Sequence, residues 1–200
     1  MFYLNVPYAE KDEAKKLGAK WNSERKQWYA PSSDLYDKFA KWMPEGEYEI
    51  ITDHIYLVEG LQKCPNCGKE TRVFTLACDT YMSCYIYNDD EEDDDDNSIE
   101  MYDDSMCFCK IQLTDSIRKK IMTKFPFVNA TKYINNHCEF CNKAITNIFT
   151  HGIGIFDLCV SPDGKPETYK FYKIKLEEDI KGEVDINGIY GIEDSQLTNL

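Results

Sequence analysis

The stretch "LQKCPNCGKE", Leu61 to Glu70, sets Cys64 and Cys67 on one tight turn, and "NHCEFCNK" repeats the spacing at Cys138 and Cys141. In a Cys-x-x-Cys turn the backbone N–H groups face the sulfurs, and two such turns supply the four ligands of a tetrahedral ion. The residue after the second cysteine visits the left-handed region, which suits glycine or asparagine. Gly68 and Asn142 hold those positions. The pattern predicts one Zn²⁺ held by Cys64, Cys67, Cys138 and Cys141, structural because no coordination position stays open.

A short zinc ribbon has roughly 15–20 residues between its pairs, and the gap from Gly68 to His137 is several times longer. A sub-structure must be inserted there. Thr71 to Ala77 and Tyr81 to Tyr87 have strand composition, and Met106 to Leu113 returns as another strand. Thr114 then caps a helix whose apolar stripe is Ile117, Ile121 and Phe125, and Pro126 ends it.

The formal net charge is −13, yet Asp89 to Asp104 alone holds eleven acids and no base, so the rest of the chain is nearly neutral. This run reads as a solvated loop, 88–105, with a basic partner as its minority reading. EF-hand spacing and its central glycine are missing, which argues against a dedicated Ca²⁺ site.

The chain opens MFYLNVPYAE, with no basic n-region or apolar h-region, and no apolar run approaches the roughly 20 residues of a membrane span. A soluble cytoplasmic protein with no membrane partner is expected. Thiols stay reduced in that compartment, so nine cysteines point to metal before disulfides. Cys78, Cys84, Cys107 and Cys109 read as small buried hydrophobes, with a second metal site the minority reading, because Cys78 and Cys84 do not form a knuckle.

Residues 1–45 differ in character. Phe2 to Val6 reads as a strand, Ala9 to Leu17 as a helix stopped by Gly18, and "AKWNSERKQWYAP" as a hairpin. Ser33 is placed to cap a helix over Asp34 to Met43 with a Leu35, Phe39 and Trp42 stripe. Trp21, Trp28 and Tyr29 either fill this small core or offer a base-stacking surface beside Arg25 and Lys26. A second candidate surface is the helix bearing Arg118, Lys119, Lys120 and Lys124. It lies in a stretch, Ser105 to Thr150, with seven bases and only Asp115 and Glu139 as acids.

"YLNVPYAEKDEAKKLGAKWNSERKQWYAP" resembles a small domain of unknown function found in bacterial and plasmid proteins, among them conjugative-transfer primases and other DNA-processing enzymes. From "IYLVEGLQKCPNCGKET" through "YINNHCEFCNKAITNIFTHG" the chain is similar to a bacterial zinc-ribbon region often joined to that domain. The resemblance implies proximity to nucleic acid and names no reaction.

Catalytic signatures are sparse. The three histidines are His54, His137 and His151, and there is no nucleophile elbow, Walker loop or His-Glu-x-x-His. His137 reads as a spare ligand or a group beside the ligands. The pattern thus assigns no catalytic residue. The rival reading is a hydrolase or nuclease with a site around His151, Asp157 and Cys159.

The expected architecture is α+β: a small β-α-β-β-α unit over 1–45, a zinc-ribbon domain with an inserted sheet and helix over 50–176, and an acidic extension over 177–200. Ile153 to Val160 and Glu167 to Leu176 should form a hairpin about "SPDGK", "DINGIYG" a final strand, and the last residues should be loose. The expected function is a non-catalytic zinc-stabilised binding or adaptor protein near nucleic acid, with a protein partner or a weakly bound single strand. Duplex DNA should bind no better than about 10⁻⁵ M at physiological salt.

Overall fold

The computed structural model describes residues 1–87, 97–103, 105–145, 169–185, 189 and 192–200. In chain order the elements are β1 (Phe2–Leu4), α1 (Lys11–Leu17), β2 (Lys20–Asn22), β3 (Gln27–Ala30), β4 (Gly46–Ile51), β5 (His54–Lys63), β6 (Glu70–Cys78) and β7 (Tyr81–Ile86). There follow β8 (Ser98–Tyr102), β9 (Cys107–Ile111), α2 (Asp115–Lys124), β10 (Asn129–Ala130), β11 (Ile134–Asn135), β12 (Lys170–Lys175), β13 (Ile180–Val184) and β14 (Leu197–Asn199). The architecture is mixed and dominated by sheet. No helix among the described residues is long and apolar enough to cross a membrane.

Two compact units interleave along the chain: Met1–Asp53, Thr80–Asp103 and Glu177–Gly182 form one, and His54–Asp79, Asp104–Leu176 and Glu183–Leu200 the other. Each unit gathers strands distant in sequence, β4 with β7 in the first and β5 with β12 in the second.

In the first unit β1, β3 and β2 make an antiparallel sheet, with Phe2 opposite Ala30 and Trp21 opposite Trp28. The expected order β-α-β-β is present in this unit. Gly18 ends α1 at φ 106, a conformation that costs glycine little. The segment Ser33–Trp42, expected as an α-helix, is a 3₁₀ helix preceded by Ser32. Its three-residue turn puts Tyr36, Phe39 and Trp42 on the buried side, where the sequence reading has Leu35. These side chains join Leu4 and Ala30 in a core completed by Tyr48 and Ile50 of β4 and by Met82, Cys84 and Ile86 of β7. Asp179 fastens the chain's start: it pairs with the Met1 ammonium at 3.0 Å and accepts from the buried Tyr36 hydroxyl. Residues 177–182 are therefore built into this unit.

The range expected as a loop, 88–105, contains a strand. Ser98–Tyr102 is strand β8, paired antiparallel with β7 from Tyr85 opposite Ser98 to Tyr81 opposite Tyr102. Ile99 packs on the core, and the Tyr81 and Tyr102 rings stack at 5.2 Å. Two deletions test what the strand contributes. Replacing 88–96 by a short Gly-Ser link should shift Tm by less than about 2 °C, whereas removing Asp89 to Asp104 should lower it by about 5 °C or more, on the order of 1–2 kcal/mol. Equal effects in a thermal melt would mean that β8 contributes nothing.

The strands of the second unit are hydrogen-bonded in the order β14-β12-β5-β6-β9, with β14 parallel to β12 and the remaining neighbours antiparallel. β5 carries the continuous run Ile55, Tyr56, Leu57 and Val58, each at most 4% exposed, because both faces of the strand are covered. Thr114 caps α2 by accepting from the Ile117 N–H at 3.3 Å. The buried stripe Ile117, Ile121 and Phe125 lies as expected, and the Phe125 ring meets Phe74 at 4.9 Å and Tyr172 at 5.0 Å. The opposite face packs Val58, Val73 and Phe171 with Cys64 and Cys138. The final residues are not loose: Phe171 sits opposite Leu197 and Lys173 opposite Asn199. The expected strand Ile153 to Val160 lies outside the described residues, as does most of "DINGIYG", of which Ile189 bridges to Met106.

Candidate metal centre and surface residues

The two Cys-x-x-Cys turns have the same internal bonding. In the first, the Cys64 N–H donates to the Lys69 carbonyl at 2.8 Å, the Gly68 N–H to the Cys64 carbonyl at 2.9 Å, and the Asn66 N–H to the Cys64 sulfur at 3.4 Å. In the second, Cys138 to Lys143, Asn142 to Cys138, and Phe140 to the Cys138 sulfur repeat the set at 3.0, 2.9 and 3.4 Å. Gly68 and Asn142 have φ 71 and 54, so each turn closes through the left-handed residue its sequence provides.

The four sulfurs lie within 4.8 Å of one another and could hold a metal ion. Cys64 and Cys138 are buried and Cys67 is exposed. Backbone N–H groups, that of Cys67 foremost, favour the Cys64 thiolate and lower its pKa. Burial opposes ionisation of Cys138, but the N–H groups of Cys141 and Phe140 outweigh it and bring the thiol down to about 6. The Lys69 N–H favours a Cys67 thiolate, yet partial desolvation and the neighbouring sulfurs of Cys138, Cys64 and Cys141 push that thiol up to about 11. Four sulfurs this close do not ionise independently.

Two polar brackets, neither evident from the sequence, fix the second turn. Arg72 donates through Nη2 to Glu139 Oε1 at 2.5 Å and through its backbone N–H to Oε2 at 3.0 Å, while the Glu139 N–H donates to Thr71 Oγ1 at 3.1 Å. Asn136, 6% exposed, accepts from the Phe74 N–H at 2.7 Å and donates to the Phe74 carbonyl at 2.8 Å. Its side chain thereby treats β6 as a strand neighbour would. His137 is not in the sulfur cluster; its Nδ1 lies 3.2 Å from the Asn135 carbonyl oxygen.

Cys78, Cys84, Cys107 and Cys109 are buried, and among the described residues the four knuckle cysteines form the sole metal-competent group. Burial pushes the Cys84 thiol up to about 12. Titration of the native protein with an aromatic disulfide should count as many fast thiols in Cys84→Ser as in the wild type. One fast thiol fewer would place Cys84 within reach of solvent.

The surface candidates separate. Trp28 packs against the first unit's core, and Trp21, 50% exposed, meets it edge-on at 5.5 Å. Tyr29 points to the other side of the sheet and lies 5.9 Å from Tyr3, a residue not expected at this surface from the sequence. Arg25 stands 4.6 Å over the Tyr3 ring, and Lys26 is an exposed turn residue at φ 53. On α2, Arg118 pairs with Asp115, Lys120 donates to the Lys175 carbonyl at 3.0 Å, and Lys124 stands 5.6 Å over Tyr172. Lys119 is exposed.

His151, Asp157 and Cys159 lie outside the described residues. A grouping not anticipated from the sequence occurs at the head of β5: His54 Nε2 is 2.8 Å from Asp79 Oδ1, and the Tyr56 hydroxyl donates to Asp79 Oδ2 at 2.8 Å. His54 and Tyr56 share a strand face, which is the signal available in the sequence.

The chain thus combines a mixed, sheet-dominated fold with a four-cysteine, metal-competent pair of turns. Residues 1–44 match the family described as "Domain of unknown function (DUF5710)", so the first unit carries a DUF5710 domain at its start. Two proteins from Escherichia coli, each described as DNA primase TraC, are homologous to this stretch. One is 55% identical over 40 residues, 20% of this chain and 3% of the primase. The other is 52% identical over 44 residues, 22% of this chain and 4% of the primase. The likeness spans a small part of those proteins. No solved structure matches the chain.

Proposed function

We propose that this is a non-catalytic, zinc-stabilised binding protein, a zinc ribbon joined to a small docking unit, that acts in the cytoplasm beside nucleic acid or beside an enzyme that processes it. The observation that carries the zinc reading is the spacing of the sulfurs. A tetrahedral Zn–S bond of about 2.3 Å requires sulfurs about 3.8 Å apart. Cys64 and Cys141 lie 3.8 Å apart, and Cys67 and Cys138 3.7 Å apart. With all four positions taken by cysteine, such an ion keeps no site for water or substrate, which favours a structural role. Reducing conditions in the cytoplasm preserve thiolate ligands.

Proximity to nucleic acid is supported by the homology of residues 1–44 to two DNA primases and by aromatic and basic residues on the β1-β3-β2 sheet. A protein partner serves the same role if the domain docks to a primase-like enzyme. The 89–104 run suits a basic partner. Metal analysis of protein purified without chelator should return one zinc per chain. Affinity capture with and without nuclease should then separate a nucleic-acid partner, lost on digestion, from a protein partner, retained. Less than about half an equivalent of zinc would reject the metal reading.

A further inference from the structure

We propose that the outward face of the β1-β3-β2 sheet binds single-stranded nucleic acid, with Tyr3 and Tyr29 as its stacking surface, and that Glu178 occupies the position of a phosphate on Arg25. This rests on the reading of the protein as one that acts beside nucleic acid, and it names the surface and the ligand.

Strand alternation makes the face. Phe2, Leu4 and Ala30 are buried on one side of the sheet, so Tyr3, Tyr29, Lys20, Asn22 and Gln27 point to the other. Tyr3 and Tyr29 are directly opposed across β1 and β3 and stay partly exposed, with ring centroids 5.9 Å apart. Adjacent part-exposed aromatics on a sheet are what successive unstacked bases need, each stacked base contributing about 1–3 kcal/mol.

The cation beside the rings is positioned by the turn. Asn22 Oδ1 accepts from the Glu24 and Arg25 N–H groups, each at 3.0 Å, and Asn22 Nδ2 donates to the Tyr3 hydroxyl at 2.8 Å. The Arg25 guanidinium, held over Tyr3, grips the Glu178 carboxylate with both arms, Nη1 to Oε2 at 2.6 Å and Nη2 to Oε1 at 3.2 Å. A fork that fits a carboxylate in this way also fits two oxygens of a phosphate. Lys20, opposite Tyr29, and Lys26 at the turn are exposed beside it and attract a polyanion. Glu178 thus keeps the fork ordered and competes with the backbone of an incoming strand. An acidic peptide would use the fork and ignore the rings, so the paired tyrosines favour nucleic acid.

The test uses the full chain and fluorescein-labelled oligo(dT) of about 16 nucleotides at low salt, read by anisotropy, with melting curves as a folding control. Tyr3→Leu and Tyr29→Leu should each weaken binding by about fivefold or more, Arg25→Lys should weaken it, and Glu178→Gln should tighten it by about five- to tenfold. If both leucine variants bind like the wild type while Lys119→Glu/Lys124→Glu loses binding, the face is wrong and α2 is the surface. Glu178→Gln no tighter than the wild type overturns the phosphate position. Competition by poly-glutamate that the leucine variants leave unchanged would assign the face to an acidic peptide. If neither the wild type nor Glu178→Gln binds below about 100 μM, the nucleic-acid reading itself falls.

Discussion

Cys138→Ser should lose its metal and unfold the second unit, leaving a protein that binds less than about a tenth of an equivalent of zinc. Binding and folding share one free energy in such sites, with apparent zinc affinities of about 10–16 kcal/mol in small zinc-folded peptides, so one missing thiolate removes a large part of what holds the knuckles. The site is also part of the core: Cys64 and Cys138 pack with Val58, Val73 and Phe171, and an opened site exposes that surface. Cys109→Ser is the control, a buried cysteine outside the cluster, and it should keep its full metal content at a modest cost in stability. Metal analysis with near-ultraviolet circular dichroism measures both. A folded, zinc-replete Cys138→Ser protein would refute the four-cysteine site.

Asn136→Ala should destabilise the second unit by about 2–4 kcal/mol while leaving all four ligands in place. The amide satisfies both backbone groups of Phe74 from a site 6% exposed, and alanine abandons a buried donor and a buried acceptor together. Each abandoned group costs about 1–3 kcal/mol, more than a surface substitution does. The bond from the Ile145 N–H to the Asn136 main-chain carbonyl, at 2.9 Å, does not involve the amide and should survive. Denaturant unfolding with zinc held in excess measures the cost. A loss below about 0.5 kcal/mol would show that water replaces the amide at Phe74.

The metal-competent site and the hairpin with the surface candidates were legible because their determinants are local. A Cys-x-x-Cys turn, its left-handed Gly68 or Asn142, the Thr114 cap and the Ile117, Ile121 and Phe125 stripe each lie within a few residues, where backbone geometry follows from residue type. The 3₁₀ register of Ser33–Trp42 was not legible, since a stripe with Phe39 and Trp42 suits either period until the packing of Tyr36 decides. Nor was β8, whose acidic neighbours hide the pairing of Tyr102 with Tyr81. β14 pairs with β12 across a long stretch of chain, and no local signal announces such a register.

By itself, then, the sequence determined the four-cysteine set, the order of elements in residues 1–45 and the charge imbalance of the acid run, all properties of residue type and short spacing. Only the tertiary structure decided the rest. It split the chain into interleaved units, turned Trp28 inward, paired Tyr29 with Tyr3, and brought Glu178 to Arg25 and Asn136 to Phe74. Those contacts join residues far apart in the chain, and what selects them is burial of a shared core and satisfaction of buried polar groups, which no short window of sequence contains.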